Sequence, residues 1–239
     1  MKDRKNKVNS KHETARFKKI FPLGETALTV DFGNEISPEL NKQVLHLASN
    51  FERKAFPGFI ETVPAYGSLT IFYDVFEVKK NFPGYATAFE AVRDFVENAI
   101  QNADETPQET SRIIEIPVSF AAENAPDLAE VAAHNNLTPD EVIEIFLARE
   151  YRVFMLGFLP GFAYMGELDE RIATPRRSEP RTRVEKGSVG IAGRQTGIYS
   201  LASPGGWQII GRTTIELFTP EADEPTFLRA GDTVKFFRI

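Results

Sequence analysis

The first hundred residues contain two stretches in which hydrophobic and polar residues alternate. Residues 28–32 and 69–75 place hydrophobic side chains at every second position, which predicts two half-buried strands. Each stretch precedes a helical pattern. One helix begins at Ser37, with a proline at its first position, and the other at Thr87, where a glutamate three residues later completes a capping box. Residues 17–103 are therefore predicted to form a small α+β domain.

A second domain follows a polar, proline-broken linker at 104–111. It begins with an alternating strand at 114–118 and two short helices, the second capped at Thr138, which are expected to plug the end of a barrel. Short hydrophobic runs separated by glycine and proline then predict strands at 151–158, 189–192, 198–201, 207–210, 214–218 and 233–239. The predicted fold class is an α+β N-terminal domain followed by a mainly-β barrel with short helices over 112–239.

The composition excludes several classes of protein. The 239 residues contain no cysteine, so disulfides, thiolate metal sites and a thiol nucleophile are excluded. The three histidines are too far apart in sequence for a helix-borne metal pair, and no metal site is expected. Residues 1–16 are predicted to be a flexible basic leader without the apolar core of a signal peptide, and no later run is long enough to span a membrane. We expect a cytoplasmic protein.

Charge and glycine are concentrated in one segment. The formal net charge of −6 argues against a nucleic-acid partner, but residues 157–212 carry eight basic against five acidic side chains. The same segment holds ten of the sixteen glycines, which predicts that backbone amides approach a small anionic ligand there. Simple barrel corners are the alternative for any single glycine. The candidates for such amide nests are Gly187, Gly190, Gly193, Gly205 and Gly206.

Side chains of this segment indicate what the ligand would contact. Four arginines lie in a proline-broken stretch, and guanidinium groups suit carboxylate or phosphate, although pairing with nearby glutamates is the alternative. These are Arg176, Arg177, Arg181 and Arg183. Four aromatic residues are candidates to line a pocket, with burial in the core as the commoner alternative. They are Phe158, Phe162, Tyr164 and Trp207. Gln195 and Tyr199, interleaved with glycines, are expected to orient a ligand.

The segment lacks a complete catalytic set. Ser188 and Ser203 lie outside the nucleophile motif of the α/β-hydrolases, and no histidine is near either of them in sequence. Neither a P-loop nor a dinucleotide fingerprint is present. Because no acid, base and nucleophile can be assigned together, we interpret the segment as one half of a site.

Two long motifs resemble a known family. EYRVFMLGFLPGFAYMGELDERIATPRR at 150–177 and GSVGIAGRQTGIYSLASPGGWQIIGRT at 187–213 closely resemble the family of 5-oxoprolinase B subunits, which is also called the allophanate hydrolase subunit 1 or KipI-like family. The resemblance covers essentially the whole globular part and implies that the barrel is cyclophilin-like. Residues 119–128 depart from the family pattern by losing a cysteine and three glycines, and Arg194 replaces a common glycine.

The resemblance implies one component of a multi-subunit enzyme that opens 5-oxo-L-proline to L-glutamate with hydrolysis of ATP. The C subunit of 5-oxoprolinase would pair tightly with this chain, and the A subunit would be the third component. ATP with Mg would bind at the level of the complex, and no cofactor is assigned to this chain alone. The alternative that the family offers is inhibition of a sensor histidine kinase.

The resemblance also selects candidate site residues, although catalytic residues stay unassigned. The predicted substrate- or anion-binding residues are Arg176, Arg177, Gln195, Tyr199, Gly205, Gly206 and Trp207. Secondary candidates are Phe158, Pro160, Phe162, Tyr164 and Arg212.

Overall fold

A computed structural model of the protein describes residues 17–102 and 111–239. The predicted basic leader at 1–16 and all but the last residue of the predicted linker lie outside the described residues. No helix in the described ranges is long and apolar enough to cross a membrane.

The first described range forms a four-stranded antiparallel sheet with three helices, which we call the N-terminal sheet region. Its strands are β1 (Lys19–Pro22), β2 (Ala27–Asp31), β3 (Phe59–Pro64) and β4 (Ser68–Tyr73). Its helices are α1 (Pro38–Arg53), α2 (Val75–Asn81) and α3 (Ala88–Gln101). The strand order is β1-β2-β4-β3, and hydrophobic residues of β2, β4, α1 and α3 share one core.

Local capping explains where these helices begin. The Ser37 hydroxyl accepts from the Leu40 amide, and Thr87 forms a complete capping box at α3, so both predicted helix starts are confirmed. The predicted strand at 69–75 is wrong in its last two residues. The Asp74 carboxylate accepts the first free amides of α2, so the chain turns into a helix that the alternation of the sequence concealed.

The second described range forms a curled, mixed seven-stranded sheet, which we call the barrel region. Its strands are β5 (Ile113–Val118), β6 (Glu150–Leu156), β7 (Ala163–Met165), β9 (Ser188–Ala192), β10 (Gln195–Ile198), β12 (Gln208–Arg212) and β13 (Thr233–Arg238). They follow the order β12-β9-β10-β7-β6-β13-β5. Ser119 and Arg212 exchange two backbone hydrogen bonds, of 2.8 and 3.0 Å, and so join the two edges of the curled sheet.

A separate pair of strands and two helices complete the barrel region. The strands β8 (Arg181–Val184) and β11 (Ser203–Gly205) pair with each other, while helices α4 (Leu128–His134) and α5 (Pro139–Leu147) pack beside β12 and β13. Thr138 caps α5 as predicted. The predicted strand at 214–218 is wrong, because only Phe218 forms a bridge, to Thr226.

The two regions are joined by a buried asparagine. Asn41 of α1 has no exposed surface, and its amide nitrogen donates to the Phe154 carbonyl of β6 at 2.9 Å. Its amide oxygen accepts from Arg152 Nε at 3.1 Å. Since a buried amide without partners is costly, these bonds fix α1 against the barrel region.

Candidate functional site

Four aromatic rings pack together beside β7 and β12. The Phe162 ring is central, with its centroid 4.8 Å from that of Tyr164, 5.3 Å from that of Tyr199 and 5.5 Å from that of Trp207. All three contacts are edge-to-face, the arrangement that aromatic quadrupoles favour. Phe162, Tyr199 and Trp207 are buried, whereas Tyr164 is half-buried. We call these four residues the aromatic cluster.

The glycines of the segment make room for this cluster. A Cβ at Gly190 would lie 3.1 Å from the Cβ of Trp207, and one at Gly197 would lie 3.0 Å from Cζ of Phe162. A Cβ at Gly205 would overlap the Tyr199 hydroxyl. The glycine density therefore has a packing cause that the sequence does not reveal.

The prediction that glycine amides form anion-binding nests is wrong for two of the candidate glycines. The Gly187 amide donates to the Tyr199 carbonyl at 2.7 Å, and the Gly193 amide donates to the Thr174 carbonyl at the same distance. Gly190 lies in the middle of the central strand β9, where it pairs with β10 and β12. The amides of Gly187 and Gly193 are therefore already used within the protein and are not available to an anion.

Gly205→Ala is expected to destabilise the protein by about 1–3 kcal/mol, because the new methyl group overlaps the Tyr199 hydroxyl. Gly206→Ala is the matched control, since its Cβ would meet nothing closer than 3.6 Å. Urea unfolding measures both. Adding Tyr199→Phe to Gly205→Ala should recover part of the loss. Equal stability of the two single variants would contradict this packing account.

Arg176 places a positive charge on the aromatic cluster. Its guanidinium carbon lies 5.8 Å from the Trp207 ring centroid, within cation–π distance. Within the described ranges, no carboxylate lies at ion-pair distance from Arg176. The side chain is exposed, so an anion from solution can reach it.

The charge of Arg176 affects the pKa values of two tyrosines in the aromatic cluster. Burial raises the pKa of the Tyr199 hydroxyl, while a hydrogen bond from the Trp207 backbone and the charge of Arg176 act in the opposite direction. Burial also raises the pKa of Tyr164, again against the influence of Arg176. Both phenols are therefore neutral at physiological pH. Tyr164 is half-buried and can donate a hydrogen bond to an anion that Arg176 attracts, whereas Tyr199 is buried.

Arg177, unlike Arg176, forms an ion pair with a buried carboxylate. Its Nη1 lies 3.0 Å from Asp127 Oδ1, and Arg181 Nη2 contacts the same oxygen at 2.5 Å. The other Asp127 oxygen accepts the Ile209 amide at 2.6 Å, and the Asp127 amide donates to the Ile209 carbonyl. Asp127 thus makes, through its carboxylate and its backbone amide, two hydrogen bonds to Ile209 of the kind that a neighbouring strand would make at the edge of β12. It also forms ion pairs with both arginines. Sequence reasoning missed Asp127, because nothing local distinguishes it from an ordinary residue before a helix.

The N-terminal sheet region contributes a residue that sequence reasoning also missed. Tyr66, in the turn between β3 and β4, places its ring 5.2 Å from Phe154 and 6.4 Å from Tyr164. Burial and Tyr164 raise the pKa of its hydroxyl, and the neighbouring Gln195 side chain opposes that change. The predicted site residue Gln195 therefore lies where the two regions meet.

The remaining predicted residues lie at different places. Arg212 donates from Nε to the Lys186 carbonyl and lies at the bridge to Ser119 that joins the two edges of the sheet. Arg183 pairs with Glu185 at 2.6 Å, which is the alternative that the sequence offered for the arginines. The Pro160 carbonyl accepts from the Ser200 hydroxyl at 2.6 Å, which ties the loop after β6 to the chain after β10.

A separate cleft of about 750 Å³ is lined by residues other than the predicted site residues. Its lining includes Arg149, Arg171 and Arg194. Asp169 pairs with the first two, and Glu170 pairs with the third. These hydrogen bonds hold the pKa of Asp169 well below its usual range, so the pairs persist at physiological pH. Its arginines are therefore already neutralised, unlike Arg176.

The described residues limit the chemistry of the site. Nowhere in 17–102 or 111–239 do three His, Asp or Glu side chains gather as a metal site would require. Around Arg176 the structure provides an exposed cation, the half-buried phenol of Tyr164 and the buried ring of Trp207, which suits binding of an anion. The described part of the chain supplies no adjacent nucleophile and base there.

Comparison with known proteins identifies the family. The model for the carboxyltransferase domain, subdomain C and D, matches residues 18–228. The chain belongs to this family. The aromatic cluster and Arg176 lie within the matched residues.

Relatives extend over nearly the whole chain. The protein is 49% identical to the 5-oxoprolinase B subunit of Bacillus subtilis over 95% of this chain and 94% of that one. It is 40% identical to the 5-oxoprolinase B subunit of Escherichia coli O157:H7 over 91% and 94% of the two chains. The crystal structure of TTHA0988 superposes with a TM-score of 0.75 at 34% identity, covering 89% of this chain but 40% of TTHA0988.

Proposed function

We propose that this chain is the B subunit of a 5-oxoprolinase, which hydrolyses 5-oxo-L-proline to L-glutamate together with the A and C subunits. The observation that carries the proposal is the 49% identity to the Bacillus subtilis protein, because it extends over more than nine-tenths of both chains. The kinase-inhibitor alternative has no support of this kind.

Arg176 and the aromatic cluster fit this substrate. 5-Oxoproline carries one carboxylate on a small ring, and an exposed arginine without a carboxylate partner among the described residues suits that charge. The half-buried ring of Tyr164, whose centroid lies 5.8 Å from that of Trp207, offers an apolar edge to the substrate ring. In this proposal the chain binds and orients the substrate, and the partner proteins supply the reacting groups.

ATP, with Mg, is assigned to the complex rather than to this chain. The amides of Gly187 and Gly193, which were expected to cradle an anion, donate to protein carbonyls. These two amides are therefore not available to a phosphate. Phosphorylation by ATP would make the lactam carbonyl reactive, and that chemistry belongs to the partners.

The finer organisation of the chain is also part of the proposal. We assign residues 17–103 and 112–239 to two domains, the second a cyclophilin-like barrel, with 104–111 as the linker. We place the complex in the cytoplasm.

Reconstitution tests the proposal. We expect ATP-dependent release of glutamate from 5-oxoproline when this chain is mixed with the A and C subunits, and none when any one of the three is omitted. Labelled 5-oxoproline allows the glutamate to be measured by chromatography. Absence of glutamate from the complete mixture would refute the proposed function.

A further inference from the structure

Tyr66 belongs to the N-terminal sheet region, but the turn that carries it is tied to the barrel region. Next to it in the turn between β3 and β4, the Ala65 carbonyl accepts a hydrogen bond from Asn41 Nδ2 at 3.4 Å. The same nitrogen donates to the Phe154 carbonyl of β6 at 2.9 Å. One buried side chain therefore holds both the turn and the strand against which Tyr66 packs.

The ring of Tyr66 reaches the candidate site. Its centroid lies 5.2 Å from that of Phe154 and 6.4 Å from that of Tyr164, and the second contact is edge-to-face at 72°. Tyr164 is the half-buried member of the aromatic cluster, and it lies close enough to Arg176 for that charge to act on its pKa. The N-terminal sheet region thus supplies a side chain that supports a tyrosine of the site.

Gln195 lies on the same face of the sheet as Tyr164. In the antiparallel pairing of β10 with β7, Gly197 is opposite Tyr164, and Gln195 is two residues from Gly197 along β10. Residues two apart on a strand point to the same face, so Gln195 and Tyr164 are diagonal neighbours. The hydroxyl of Tyr66 is buried and has no partner of good hydrogen-bond geometry among the described residues, although Gln195 is close enough to act on its pKa.

These side chains suit the lactam of 5-oxoproline. A primary amide both donates and accepts hydrogen bonds, so that of Gln195 can pair with the adjacent N–H and C=O of the lactam. We propose that Tyr66 is a positioning residue, which holds Tyr164 and Gln195 in the orientation in which they bind the lactam ring while Arg176 binds the carboxylate. This inference rests on the proposed function.

Steady-state kinetics of the enzyme reconstituted with the A and C subunits tests the positioning role. We expect Tyr66→Leu to raise KM for 5-oxoproline ~10-fold and Tyr66→Phe to raise it ~3-fold, because the first loses the ring contact and the hydroxyl whereas the second loses only the hydroxyl. The value of kcat should stay within about twofold for both, since the reacting groups are untouched. Loss of folded chain would instead lower kcat and leave KM unchanged.

Tyr73→Phe is the matched control, because Tyr73 is a buried tyrosine of the same region whose hydroxyl also lacks a hydrogen-bond partner in the described part of the chain. Its KM should equal that of the unmodified chain. In urea unfolding, both phenylalanine variants should be at least as stable as the unmodified chain, since each removes an unpaired buried hydroxyl.

The phenylalanine variant decides the outcome even if Tyr66→Leu does not fold. Equal KM values for Tyr66→Phe and Tyr73→Phe would overturn the positioning role, as would a fall in kcat with KM unchanged. Either result, obtained with an active unmodified enzyme, leaves the proposed function intact. An unmodified complex that releases no glutamate would refute the proposed function and this inference together.

Discussion

Arg176→Ala is expected to lower kcat/KM for glutamate release by the reconstituted enzyme at least ~100-fold, the size of effect produced by removing a charged group that holds the reacting substrate. Arg176 is the cation that lies over Trp207 without a carboxylate partner among the described residues. Arg176→Lys should retain part of the activity, because a lysine keeps the charge but loses the planar fork. Steady-state kinetics against 5-oxoproline concentration measures both variants.

Arg183→Ala is the matched control for this prediction. Arg183 is an exposed arginine of the same segment, and its side chain pairs with Glu185. Its removal should leave kcat/KM within about twofold, since exposed pairs contribute little. Because the chain has a single tryptophan, fluorescence of Trp207 reports whether the Arg176 variants keep the aromatic cluster intact. Equal kinetics for the Arg176 and Arg183 variants would remove Arg176 from the site.

Asp127→Ala is expected to lower the free energy of unfolding by about 2–4 kcal/mol, the range for breaking a buried ion pair whose arginines keep some contact with water. Asp127 is buried, and its loss leaves Arg177, Arg181 and the Ile209 amide without their shared acceptor. Asp127→Asn should lose less, because an amide oxygen can still accept from Ile209. Urea unfolding of the isolated chain measures both variants.

Glu130→Ala controls for the general loss of a negative charge near Arg177. Glu130 is 60% exposed and lies 3.4 Å from Arg177 Nη1, so its removal should change stability by no more than about 0.5 kcal/mol. If Asp127→Ala were as stable as Glu130→Ala, Asp127 would not be the residue that holds the arginines. Arg177→Ala should likewise act mainly through stability, since Arg177 is held by a buried carboxylate.

Local signals made much of the fold predictable. Ser37, Thr87 and Thr138 each cap a helix with their own hydroxyl, so each of the three helix starts depends on residues within a single turn. Strand β3 was not predicted, because a bulge between Phe59 and Glu61 breaks its alternation. The strand predicted at 214–218 failed for the opposite reason, since its hydrophobic residues pack in the core without joining a sheet.

Long-range contacts limited what could be predicted about the site. Asp127 is about 50 residues from its two arginines, and Tyr66 approaches Gln195 from another sheet, so no spacing in the sequence indicates either pair. The same limit explains the glycines: Gly205 is required by the hydroxyl of Tyr199, which only the fold brings beside it. The sequence indicated that the site lies in the segment 157–212 and that arginines and aromatic residues would form it. Only the structure separates Arg176, exposed and without a carboxylate partner among the described residues, from Arg177, which is held in place.

The central claim is that this chain is a required component with a place in a composite 5-oxoprolinase site. Titrating the chain into a fixed amount of the A and C subunits, with ATP and 5-oxoproline present, tests it most directly. We predict that the rate of glutamate release rises with added chain and reaches a plateau at an equimolar ratio to the C subunit. A rate that is unaffected by the added chain, or no glutamate at any ratio, would contradict the claim.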